Sequence, residues 1–174
     1  AYSMYTMDDG VSNTAVGWKS LYLDTSGNQN VAIGERALYS YTGDYSVAIG
    51  FDAGEFATTA ENSTFVGHQA GQGITGVKLT GNGNTAVGKD AGLLLQGAAT
   101  SNTLVGIYSG AAITTGVNNT FFGSAAGDAT DDGVGNTAMG AGALGANCGD
   151  GNTAVGLEAL NDVSVLPLPV VCHI

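Results

Sequence analysis

Asn152-Thr153-Ala154-Val155-Gly156-Leu157-Glu158-Ala159-Leu160 decides the fold, because its pattern has eight further copies upstream. The copies are anchored at Gly17, Gly34, Gly50, Gly67, Gly88, Gly106, Gly123, Gly140 and Gly156, with successive spacings of 17, 16, 17, 21, 18, 17, 17 and 16. Self-similarity at a fixed period of this size marks a stacked repeat architecture. The one enlarged interval holds Gly73 to Gly83 and reads as a loop inserted between coils.

Aligned on the glycines, the columns are narrow. Four places before the anchor stand Asn13, Asn30, Ser46, Ser63, Asn84, Asn102, Asn119, Asn136 and Asn152. Three before, every residue is Thr or Val; two before, the residue is Ala except at Phe65, Leu104 and Phe121. One before come Val16, Ile33, Ile49, Val66, Val87, Val105, Phe122, Met139 and Val155. Three after the anchor the residue is always Ala or Ser, and the next is always Leu or Gly.

β-Branched residues leading into each glycine argue for a strand there. A glycine every 17 residues or so, with few long straight-chain residues, makes helix a poor competitor. The chain is therefore expected to be all-β: a parallel β-solenoid (β-roll) of nine coils of about 17 residues. Each coil should hold two short strands and two turns, and nine coils stacked at strand spacing give a rod of roughly 40 Å. The Asn column should form an amide ladder up the stack. The two residues after each anchor share no chemistry from coil to coil, which reads as an exposed turn.

Strand side chains alternate, so the Thr/Val and Val/Ile columns share one face and the Ala and Gly columns the other. Both faces are apolar or small, as in strands covered on both sides. One face must fill the coil while the other meets a second chain. The small Ala and Gly columns are expected to allow that close approach, with the Thr column buried beside Val and Ile.

Composition narrows the function. Of 174 residues, 29 are Gly and only 2 Pro, with 44 % hydrophobic and 11 % charged. So few charges suggest a surface covered by other copies of the chain. The net charge of −11, with four Lys and Arg, opposes nucleic-acid binding. No apolar run approaches the roughly 18 residues of a membrane span, so no membrane insertion is expected. The chain begins at Ala1 rather than Met, as a processed product or a fragment would.

The columns resemble the head repeats of trimeric autotransporter adhesins, whose unit Ser46-Val47-Ala48-Ile49-Gly50 reproduces. The Asn152–Leu160 form is also similar to repeats of phage tail-fibre proteins. The resemblance spans residues 13–160 and implies a left-handed parallel β-roll that trimerises. Against it, the adhesin period is shorter, and neither a coiled-coil stalk nor an anchor is in view.

Three segments follow: 1–12 as a cap or inter-subunit contact, 13–160 as the solenoid, and 161–174 as an apolar tail acting as a cap or clasp. Terminal repeats of a solenoid usually need a polar cap, yet the first and ninth keep the full motif. Cys148 and Cys172 are the disulfide candidates, within one chain or between two.

Other constellations read as parts of the repeat. Gly140-Ala141-Gly142-Ala143-Leu144-Gly145 matches a dinucleotide fingerprint without its helix context. Asp128, Asp131 and Asp132 are a weak Ca²⁺ candidate outside any known loop spacing. His68 and His173 have no ligand column in register. Asn62-Ser63-Thr64 and Asn118-Asn119-Thr120 are formal glycosylation acceptors placed where the repeat puts Asn and Thr anyway. No nucleophile elbow or phosphate loop is present, so no enzyme and no cofactor are expected. The Thr column also raises ice binding, which needs Thr turned to water.

The expected role is structural: a self-assembling subunit or segment of an extracellular, cell-surface or virion fibre. The protein would be secreted or exposed, homo-oligomeric as a homotrimer, and able to polymerise end to end. The alternative is an adhesin or receptor-binding head whose variable turns grip a host-surface glycan or protein.

Overall fold

A three-residue strand precedes every anchor glycine, and the strands stack into one parallel sheet. A computed structural model describes residues 2–161 and the backbone of 171–173. The strands are β1 (Thr14–Val16), β2 (Val31–Ile33), β3 (Val47–Ile49), β4 (Thr64–Val66), β5 (Thr85–Val87), β6 (Thr103–Val105), β7 (Thr120–Phe122), β8 (Thr137–Met139), β9 (Thr153–Val155) and β10 (Val171–His173). The order is β1 through β10 without a crossover, so the chain climbs one level per coil. Register is that of the repeat, for example Thr103↔Thr120, Leu104↔Phe121 and Val105↔Phe122. The fold is a parallel β-solenoid, and the described residues contain no helix.

β10 adds a level that the motif did not announce. Val171 pairs with Thr153 and His173 with Val155, an interval of 18 residues that continues the period. Its residues carry neither the Asn nor the Gly of the motif.

Each coil has one strand, not the expected two. The second and fourth residues after the anchor adopt left-handed backbone, as at Lys19 (φ 57°) and Leu21 (φ 47°), or Arg36 (φ 53°) and Leu38 (φ 50°). An extended run cannot pass through such residues. Coil-to-coil hydrogen bonding nonetheless continues round the turn, with Arg36 N donating to Trp18 O at 2.9 Å and Leu38 N to Ala53 O at 3.0 Å. On the return side only isolated parallel bridges form, such as Leu79↔Gly97 and Val117↔Val134.

The interior is narrow and belongs to the middle strand residue. Ala32, Ala48, Phe65, Ala86, Leu104, Phe121 and Ala154 are fully buried. Volume is balanced within the coil by the fourth residue after the anchor. Where the strand supplies Phe65, Leu104 or Phe121, that residue is Gly71, Gly110 or Gly127; Leu21, Leu38, Leu144 and Leu160 all accompany a strand Ala. A Cβ on Gly127 would lie 2.2 Å from Phe121 Cε2, and one on Gly71 2.2 Å from Phe65 Cδ1. The Leu and Gly alternatives are thus two solutions to one packing problem.

The Asn column sits beside this core and, from Asn30 onward, is buried. Asn102 Oδ1 accepts from Asn119 N at 3.0 Å, while Asn102 Nδ2 donates to Gly116 O at 2.8 Å. Asn119 Oδ1 does the same for Asn136 N at 2.9 Å. Each amide joins its own level to the next, satisfying backbone groups that the turn would leave buried and unpaired. In the third coil the Ser46 hydroxyl takes this role, accepting from Ser63 N at 3.1 Å and donating to Ala60 O at 3.2 Å, while buried Tyr41 fills the remaining space, its hydroxyl 2.7 Å from Ser46 Oγ.

The anchors stack on one another. Gly106 has φ +135°, and a Cβ there would lie 2.3 Å from Gly123 O in the next coil. Left-handed backbone and close approach both demand glycine. The long interval bulges outward at Thr75–Lys78 and returns at fully buried Leu79.

Candidate interaction surface

The expected assignment of the two sheet faces is reversed. The Ala column lies inside the coil, and the Thr/Val and Val/Ile columns point outward. In β7, Phe121 is buried while Thr120 and Phe122 on either side are exposed. A coil of this length encloses too little space for two β-branched side chains per strand, so the middle residue enters and its neighbours stay out. The Ala column is accordingly unavailable for contact with another chain.

The outward face is a flat, parallel stripe nine coils long. Its edge away from the Thr column holds Val16 (57 % exposed), Ile33, Ile49, Phe122 (56 %) and Met139 (49 %). Val66, Val87, Val105 and Val155 continue it half-buried, and Trp18, Phe51, Ile107 and Leu157 extend it past the anchors. A continuous apolar stripe of this extent is uncommon on a surface facing water and marks a contact site.

The turn after the anchor forms a ridge along this stripe, and its two positions differ. The first residue is exposed in all nine coils. The second is not the free position expected of it: Asp52 and Asp90 are buried, with φ of 56° each. Arg36 forms a two-pronged pair with Asp52, at 2.8 Å from Nε and 2.7 Å from Nη2, and lies 3.3 Å from Glu55. The Asp52 hydrogen bond is the main reason the Arg36 guanidinium holds its proton more tightly than usual. Burial pushes the Glu55 carboxyl upward, opposed by its 2.8 Å hydrogen bond from Gln72 Nε2. Lys89 pairs with Asp90, and His68 Nδ1 stands 3.7 Å from Asp90 Oδ1 while its ring stacks on Phe51 at 5.2 Å. The Arg36–Asp52 and His68–Asp90 pairs link adjacent coils, while Lys89–Asp90 lies within one turn.

The remaining sequence candidates separate in space. Among the described residues no three His, Cys, Asp or Glu side chains gather to hold a metal ion. Asp128 lines a hollow, Asp131 is hydrogen-bonded to Thr114, and Asp132 is exposed, so the three do not converge. The dinucleotide-like glycines of 140–145 follow β8 as an ordinary turn with no helix. Asn62 and Asn118 are exposed. Cys148 is a buried thiol, 3.4 Å from Thr130 Oγ1. The side chains of Cys172 and His173 lie outside the described residues, and the expected Cys148–Cys172 bond with them. So does most of the tail, residues 162–170.

What fold and surface define is a class: a parallel β-solenoid repeat protein with one bare apolar face. No family model, curated protein or solved structure matches the chain.

Proposed function

We propose that the chain is a non-enzymatic structural protein, a self-assembling segment of an extracellular, cell-surface or virion fibre. The observation that carries this reading is the outward stripe from Val16 to Val155, apolar, regular and, among the described residues, unpartnered over nine coils. Burial of apolar area stabilises association by roughly 25 cal/mol per Å², and the identical stripe on other copies is the natural cover. Three-fold packing of parallel rods brings the stripes of all copies to a common axis, in a closed arrangement. The scarcity of charge, 11 % of residues, fits a surface largely turned to its own kind. Negative-stain microscopy of purified protein tests the role: rods of uniform width or lengthwise fibres are expected. Discrete particles that bind cells would favour the adhesin or receptor-binding head instead.

The outward Thr column favours one second reading. Thr14, Thr103 and Thr120 are exposed, so the burial expected of them does not dispose of an ice-binding face. The parallel column of Ile33, Ile49, Phe122 and Met139 is uneven in size, which suits interdigitation better than a flat water lattice. Absence of thermal hysteresis is the expected result; a clear hysteresis would replace the fibre reading.

A further inference from the structure

The ridge beside the stripe is built differently at its two ends. At the first end it carries bulk and positive charge. The rings of Tyr5, Tyr22 and Tyr39 stack with centroids 5.2 Å and 5.4 Å apart. Lys19 Nζ lies over three rings, 4.5 Å from Trp18, 5.1 Å from Tyr22 and 5.7 Å from Tyr39. Arg36 and Lys89 on the same ridge are committed to carboxylates of their own chain. Among the described residues Lys19 has no ion pair, only these ring faces.

At the far end the same positions of the repeat shrink. Ser124 and Ala141 stand where Trp18 stands, Ala125 and Gly142 where Lys19 stands, and Gly145 where Tyr22 stands. They floor a hollow of about 380 Å³ whose polar walls are Asp128, Glu158 and Asn161. Exposed Leu157 lines it too, at 74 %. No compensating charge is near in sequence: all four Lys and Arg occur by residue 89, and seven carboxylates follow. Burial holds the Asp128 carboxyl above its usual range, as expected of an acid lacking a cation.

We propose that the Lys19 aromatic knob of one copy seats in the Asp128–Glu158 hollow of a second copy. The occupant is a second copy because knob and hollow lie on one ridge six to eight coils apart, roughly 30–40 Å at strand spacing. One rigid coil stack cannot bring them together. Shape and charge match: an ammonium group with aromatic backing meets two carboxylates over a floor of Gly, Ala and Ser. Two rods laid ridge to ridge with ends reversed make both contacts at once. The contact is ionic and sensitive to salt, whereas the apolar stripe is not, so this association is distinct from stripe-mediated assembly.

The test uses the full chain and two charge-reversed variants, Lys19→Glu and Glu158→Lys, in sedimentation velocity at low and high salt. Wild type should show an association step that salt removes. Each variant alone should lose that step, by tenfold or more in affinity, with an unchanged circular dichroism melt. Mixing the variants should restore it, because the acidic knob of one meets the basic hollow of the other while their second pair remains native. Lys19→Met, which keeps a long side chain over the rings, should also lose the step. A wild type without a salt-sensitive step, a single variant that associates as wild type does, or a mixture no better than its components overturns the proposal. Stripe-mediated assembly that persists at high salt is read separately in the same runs, so failure of one contact does not mask the other.

Discussion

Phe121 and Phe122 are neighbours in β7 with opposite fates. The first is fully buried and packed against Gly127; the second is more than half exposed on the outward stripe. The contrast holds along the molecule. Inner positions are tuned coil by coil, a large strand residue meeting Gly and a small one mostly meeting Leu, so the interior accounts for the coil's own stability. The outer columns are as narrow in residue type as the inner one, yet among the described residues nothing touches them as a core would. Regularity without an intrachain partner is what a surface shared between copies looks like.

Substitutions on the inner side should have the largest effects. Gly106→Val puts a branched side chain at φ +135° and against Gly123 O. It should cost more than about 3 kcal/mol, seen as a lost or fragmented melting transition. A melt equal to wild type would mean that the anchors are not stacked as described.

Phe121→Ala comes next, with an expected cost of about 3–5 kcal/mol from the buried cavity. Its sharper form adds Gly127→Leu, recreating the Ala138–Leu144 pairing of the following coil. Leu144 already sits at φ 52°, and Gly127 has φ 60°, so the backbone accepts the change. The double variant should recover a good part of the loss in chemical denaturation. Phe122→Ala, by contrast, should change subunit stability by about 0.5 kcal/mol or less while weakening assembly.

A smaller effect comes from Asp24, buried in the turn between β1 and β2. Its Oδ1 accepts from Gly27 N at 2.7 Å and Ser26 N at 3.1 Å, while Oδ2 is buried without a hydrogen-bond partner. Burial raises its pKa above 3.8. The folded state therefore binds this proton more tightly than the unfolded chain. The charged form costs stability at neutral pH, and that cost is relieved as pH falls through the raised value toward 3.8. Asp24→Asn should melt higher than wild type at pH 7, with the gap closing on acidification. A gap that is constant with pH would show that the carboxyl is not strained by burial.

The period, the strand before each glycine, the parallel stack and the amide ladder were legible in the sequence, because each depends on residues that recur at fixed offsets. The side of the strand that enters the coil was not. Alternation says only that neighbours part company, and both candidate faces were apolar or small. A usable signal was present: Phe65, Leu104 and Phe121 each pair with a Gly six residues on, a size compensation that arises only between residues sharing an interior. The second strand of each coil failed for a different reason. Left-handed backbone at Lys19, Arg36, Asp52 and Asp90 is carried by non-glycine residues, so composition gave no warning of it. β10 was hidden because its Val-Cys-His keeps the period while dropping the motif. The hollow was invisible as well, since it arises from small residues stacked in two successive coils, Ser124 and Ala125 with Ala141, Gly142 and Gly145.

Sedimentation equilibrium at micromolar concentration in high salt tests whether the outward stripe is an interface between copies. The wild type should form a stable homo-oligomer, three-fold in its simplest form. Val87→Glu combined with Val105→Glu, two charges in the middle of the stripe, should give a monomer with an intact β-sheet circular dichroism spectrum. A wild-type chain that sediments as a well-folded monomer under these conditions would contradict the claim.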